Sequence, residues 1–191
     1  MQGRLRDVQV LQRQRQPRHP DRLDRRPNVS SLRIRQAVRA VLTTPDHSIL
    51  LVRFEFPTAT VWALPGGGLD PGEDHVTALH RELHEEVGLV DMNIGPHVWT
   101  REQIIEFIDG NWDGQRDQYH HVPVPVRFEP TPALSWEQLR DERLHEIRWW
   151  SIDEIDAATS DGTRFAPGRL AELMRLLARH GAPDSPIDTG V

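Results

Sequence analysis

Residues 67–89 read GGLDPGEDHVTALHRELHEEVGL. Just ahead of them, Trp62-Ala-Leu-Pro-Gly-Gly predicts a short strand running into a turn, where Gly66, Gly67 and Gly68 permit backbone angles closed to other residues. Pro71-Gly72 marks a second turn, and from about Gly72 the pattern becomes helical. At 100° per residue Val76, Leu79, Leu83 and Val87 fall on one stripe that should face a core. Glu82, Glu85 and Glu86 sit at helical i,i+3 and i,i+4 spacings, so three carboxylates share the flank beside that stripe. Gly88 suits the position that ends the helix.

Like charges at these spacings cost a few tenths of a kcal/mol per pair. A solvated acidic face is the ordinary explanation for such a cluster. A hard-cation site is the sharper one, because Mg²⁺ and Mn²⁺ take oxygen ligands and share them with phosphates. The pattern decides between them. Gly67, five residues, Glu73, seven residues, then Arg81-Glu82-Leu83-x-Glu85-Glu86-x-Gly88-Leu89 resembles a complete Nudix box. The box covers residues 67–89 only, and the domain it implies would run from about Ile34 to His180.

That resemblance carries expectations. The fold would be the Nudix α/β/α sandwich: an α/β domain with a mixed sheet and the box helix packed on it. The reaction would be metal-dependent hydrolysis of a pyrophosphate bond in a nucleoside diphosphate linked to another group. Glu82, Glu85 and Glu86 would bind Mg²⁺ (or Mn²⁺), with the backbone carbonyl of Gly67 or Gly66. Glu82 would act as, or orient, the general base, and Glu73 and Arg81 would support the site electrostatically. Some members take a further base or ligand from outside the box. The sequence offers Glu102, Glu106, Asp109, Asp113, Asp117, Glu142 and Glu146 without ranking them, although Glu106 stands out inside an apolar run. Pro96 comes too early and Pro123 too late for the proline of the ADP-ribose type, and the cysteine of the related isomerase is absent. What remains leans towards nucleoside triphosphates such as oxidised purine nucleotides. The competing class is a Nudix-fold nucleotide sensor that no longer hydrolyses.

Composition narrows the chemistry. The 191 residues suit one domain plus tails. Cysteine is absent, which excludes disulfides and thiolate chemistry; all 23 basic residues are Arg, which excludes lysine Schiff bases. Residues 1–39 carry eleven Arg against three Asp, net +8, and the remainder twelve Arg against twenty-six acids, net −14. An acidic body with few arginines near the box is a poor host for polyphosphate unless metal ions bridge the two. No apolar run reaches membrane length, and the Arg-rich start lacks an apolar signal core, so a cytoplasmic location and no membrane partner are expected.

The chain divides on paper into an Arg/Gln-rich disordered extension (1–31), a domain (32–181) and a loose tail (182–191). The extension lacks aromatics to stack on bases, so a nucleic-acid partner is not expected. A small nucleotide-type substrate is, and the resemblance allows a homodimer. Ile34–Leu42 and Ser48–Phe56 read as a strand hairpin. Val90–Thr100 and Glu102–Ile108 read as strands about a bend at Gly95-Pro96, and residues 109–117 as a polar loop. Tyr119–Phe128 reads as an edge strand, because Pro123 and Pro125 cannot donate to a ladder. Ser135 and Ser151 open capping boxes, Glu146–Trp150 is a short strand, and Pro167–His180 is an amphipathic helix stopped at Gly181. His75, His80, His84 and the His120-His121 pair read as exposed. Of six Trp, those at 62, 99, 149 and 150 read as core or rim, and Trp112 is the candidate to stack on a base.

Overall fold

Apolar alternation and a turn at Thr44–His47 start the domain as two strands, but these part almost at once. The computed structural model describes residues 32–104 and 111–190. Strand β1 (Ile34–Thr43) meets β2 (Ile49–Phe56) antiparallel at Thr43 and Ile49. Beyond that pair β2 turns to its own neighbours, β3 (Ala59–Ala63) and β6 (Leu144–Trp150), one along each edge. β1 instead pairs in parallel, over its whole length, with β5 (Gly114–Pro123). β5 pairs antiparallel with β4 (His97–Gln103). The short β7 (Arg164–Ala166) flanks β3, and β8 (Ile187–Asp188) flanks β4. The mixed sheet therefore runs β7-β3-β2-β1-β5-β4-β8, with β6 on β2.

Because β2 leaves β1, one edge of β1 is open, and the chain fills it from β3. Residues Pro65–Leu69 lie along that edge as an irregular strand. Ala40 N–H donates to Pro65 O (2.9 Å), Val38 N–H to Gly67 O (2.9 Å), and Leu69 N–H to Gln36 O (3.1 Å). Gly66 sits at φ 125° with its α-carbon against β1; a Cβ there would lie 2.3 Å from Val38 O. Only glycine holds that position without strain.

Helix α1 (His75–Val87) follows, capped by Asp74, whose side chain accepts from Thr77 N–H, and stopped by Gly88 in the left-handed region. Its Ala78, Leu79, Leu83 and Val87 pack on Val38, Ala40, Leu42 and Val122. Each fully buried Leu contributes about 1.5–3 kcal/mol. The opposite sheet face, with Val41, Leu51, Trp99 and Trp150, is covered by α3 (Ile152–Ser160) and α4 (Leu170–His180), through Ile155, Leu170, Leu173, Met174 and Leu177. Short α2 (Trp136–Asp141) buries Leu139 against Val52 and Leu144. Ser135 and Ser151 each close the capping box expected of them.

The sequence reading needs correction at several points. Val76 is exposed, although Ala78 two residues on is buried in the core. Residues 90–96 form no strand; the Gly95-Pro96 bend leads into β4 rather than linking two strands. Residues 114–117 belong to β5, not to a loop. β5 is interior, and Pro123 is tolerated as its last residue while Pro125 lies beyond it. Residues 182–191, expected to be loose, supply β8 and the buried Thr189. The reading of residues 1–31 lies outside the described residues. Among the described residues no helix is long and apolar enough to cross a membrane.

Candidate active site

Glutamates 82 and 86 lie one helical turn apart and on the buried side of α1, not merely beside it: they are 8% and 4% exposed. Burying a carboxylate requires partners. Glu86 takes the Gly66 N–H, which donates to its Oε2 at 2.7 Å. Burial, resisted by the Arg39 charge and reinforced by that of Glu82, pushes the Glu86 carboxyl up to about 8. Burial also raises Glu82, against the pull of Arg81. Glu82 lies against the glycine loop, where a Cβ on Gly67 would fall 2.3 Å from its Oε1.

Arg81 ties the outer parts together. Its Nε and Nη2 donate to the two oxygens of Glu73 at 3.1 and 3.0 Å, a fork-to-fork pair. Its Nη1 donates to Glu82 (2.8 Å) and Glu85 (3.2 Å), and Nη2 also reaches Gly68 O (3.0 Å). The Arg81 fork holds the Glu73 carboxyl below its usual range, helped by the Asp70 N–H. Glu73 and Arg81 thus fasten the loop to the first turns of α1. In this arrangement Arg81 neutralises Glu82 and Glu85, and among the described residues no three His, Asp or Glu side chains converge as a ready metal site. The donor chemistry nonetheless fits a hard divalent cation. Every candidate ligand on this flank is a carboxylate or carbonyl oxygen.

Two further arginines border the loop, so the expectation of few arginines near the box is corrected. Arg39 on β1 donates to Gly66 O and pairs with the buried Asp117 at 3.3 Å. Arg35 lies against Gly68 and donates to Gln115 (3.1 Å). Neither stands out in sequence, since both precede the box by about thirty residues. Of the acids outside the box, Asp113 pairs with Arg33, Asp117 with Arg39 and Glu146 with Arg53, while Glu102 lies 4.0 Å from Arg116. Glu142 is the C-terminal cap of α2 and is exposed. Glu106 and Asp109 lie outside the described residues. Trp112 is about a third exposed, just before β5. Trp62, Trp99 and Trp150 are buried, as expected, and half-buried Trp149 donates to Phe128 O. His80 and His84 are exposed, but His75, His120 and His121 are half-buried, and His120 stacks on His97 with ring centroids 5.4 Å apart.

A split mixed sheet, a glycine loop bedded on its central strand and a helix turning carboxylates towards that loop define a class of oxygen-donor sites suited to a divalent cation. The chain belongs to the Nudix family: the NUDIX domain model matches residues 33–169. It is 31% identical over 67 residues to an RNA pyrophosphohydrolase of Pelagibacter ubique, covering 35% of this chain and 42% of that protein. It is 28% identical over 138 residues to the chloroplastic Nudix hydrolase 26 of Arabidopsis thaliana, covering 67% and 61% respectively. The chain therefore spans less than two thirds of either relative's length. A solved NUDIX hydrolase from Nitrosomonas europaea superposes with a TM-score of 0.52 at 26% identity, over 79% of this chain and 94% of that one.

Proposed function

We propose that this protein hydrolyses a pyrophosphate bond in a nucleoside diphosphate linked to another group, in a reaction dependent on Mg²⁺ or Mn²⁺. The observation that carries the reading is the complete box folded into one unit, with Glu86 buried on the Gly66 N–H and Glu82, Glu85 and Glu73 gathered by Arg81. A chain with no need of the site would gain by replacing a buried, poorly partnered carboxylate with an apolar residue.

In this reading Glu82, Glu85 and Glu86 would hold the cation, joined by the Gly67 carbonyl through the lone pair that the Val38 N–H leaves open. Bound divalent ions neutralise phosphate charge and make a water acidic enough to attack at neutral pH. With a cation bound, Glu82, whose carboxyl burial raises, would receive or orient the proton of that water. Arg81 keeps Glu73 fastened to the loop. Trp112 offers an exposed ring for a base. The substrate leaning remains nucleoside triphosphates, including oxidised purine nucleotides, and the relatives named RNA pyrophosphohydrolase add RNA to the candidates.

The test is phosphate or pyrophosphate release from a panel of nucleoside triphosphates, dinucleoside polyphosphates, ADP-ribose and pyrophosphate-bearing RNA, with and without Mg²⁺. Release from at least one, lost by about a thousandfold or more in a folded Glu86→Gln protein, is expected. Tight binding of one nucleotide with no release from any would establish the sensor instead.

A further inference from the structure

We propose that Arg39 is a positioning residue for the acid cluster: held by Asp117, it fixes the Gly66 peptide and thereby the carboxylate of Glu86. The inference rests on the metal-dependent reading above and names how the cluster is kept in register.

The geometry is a chain of contacts through one peptide group. Strand alternation sends Val38, Ala40 and Leu42 to the α1 side of β1, while Arg39 shares the parity of Val41, which packs beneath α4. Glu86 approaches the Gly66 peptide from the α1 side and accepts its N–H at 2.7 Å. Arg39 approaches from the other side and donates Nη1 to Gly66 O, with Leu64 O at 3.4 Å from the same nitrogen. The glycine loop is thus gripped at the open edge of β1 from both faces. A guanidinium suits this task because its planar fork serves several acceptors at once.

Arg39 is itself held. Its Nε donates to Asp117 Oδ1 at 3.3 Å. Asp117 is 2% exposed and also accepts from Gln115 Nε2 at 2.7 Å, while Gln115 Oε1 accepts from Arg35. Parallel register sets Asp117 beside Ala37 and Tyr119 beside Arg39, so the pair spans the two central strands. The Phe54 ring lies 5.9 Å from the Arg39 guanidinium carbon and closes its outer side. The Glu86 and Glu82 carboxyl groups also act on Arg39 electrostatically. Asp117 therefore keeps Arg39 on the loop carbonyls and out of the carboxylates. Groups that orient metal-binding side chains commonly matter by 10–100-fold in metal affinity.

Two variants of the full chain separate positioning from charge. Arg39→Lys keeps the charge and loses the fork. Arg39→Met with Asp117→Leu removes both charges, leaving net charge unchanged, and replaces a buried pair with apolar residues that cores tolerate. Mn²⁺ binding is measured without nucleotide, by calorimetry or electron paramagnetic resonance, beside thermal melts and hydrolysis kinetics. Both variants are expected to bind Mn²⁺ about tenfold or more weakly, with kcat reduced and nucleotide KM little changed. Parent-like Mn²⁺ affinity in either folded variant overturns the proposal. If Arg39→Lys does not fold, the double variant alone decides. A parent protein that binds no Mn²⁺ and hydrolyses nothing refutes the hydrolase reading and this inference with it, whereas an active parent with unaffected variants refutes this inference alone.

Discussion

At the scale of a single residue, Glu86 shows most clearly what the site costs. Its carboxyl is 4% exposed, takes one backbone N–H and is pushed up to about 8 by burial. In the unfolded chain a glutamate titrates near 4.3. Between these values the unfolded state is ionised while the folded state holds the proton, so this group withdraws stability as pH rises through that window and withdraws no more above it. Glu86→Gln keeps an acceptor for Gly66 and has no charge to bury. In buffer free of divalent cations, the Gln variant is expected to match the parent at about pH 4 and to exceed it progressively up to about pH 8. Urea denaturation across that range checks it; a constant gap between the two proteins would remove burial as the cause of the shift. The same substitution should abolish hydrolysis, so stability and activity are expected to move in opposite directions at one residue.

At the scale of elements, α1 was legible because its period, its glycine stop and its acids are all local. Its start was less so. Asp74 caps it, two residues beyond Gly72, and Val76 in its first turn is exposed while Ala78 is buried. The Asp74 side chain accepts from Thr77 N–H at 2.8 Å. Asp74→Ala is expected to destabilise the fold by about 1 kcal/mol, read from the urea midpoint at unchanged slope. A loss below about 0.3 kcal/mol would mean that the helix start is carried by Glu73 and Arg81 instead. Elements fixed by distant pairing were harder to read. Nothing local in Gly114–Pro123 says that it lies between two strands; Pro123 and the nearby Pro125 argue for an edge, and only the observed register, with Pro123 last, reconciles them. The site divides in the same way. Glu73, Arg81, Glu82, Glu85 and Glu86 are legible as spacing within one stretch. Arg39 and Asp117 are brought to the glycine loop by parallel pairing across 78 positions, and no periodicity announces that.

At the scale of the whole molecule, the parting of β1 from β2 makes the site. Were the two strands paired along their length, β2 would occupy the edge on which Pro65–Leu69 lies, and Glu86 would have no Gly66 N–H to meet. The opposite end of the sheet has a different duty. β8 pairs Ile187 with Trp99 and Asp188 with Thr100, and Thr189 N–H donates to Thr100 O at 2.9 Å. These contacts cover β4 on the side remote from the glycine loop in the strand order. Ending the chain after Pro186 removes a half-buried isoleucine, a buried threonine and their backbone bonds, a loss of about 2 kcal/mol. The midpoint of thermal unfolding should then fall by about 4–8 °C. Mn²⁺ affinity and hydrolysis at a temperature where the shortened protein is folded should stay near those of the parent, because β8 lies at the end of the strand order, beyond β5 and β4 from the edge of β1 that holds Gly66. An unchanged melting temperature would show that β8 adds nothing to the sheet. A folded truncation with impaired metal binding would show that β4 and β5 transmit strain to Asp117, and that the two ends of the sheet are coupled rather than independent.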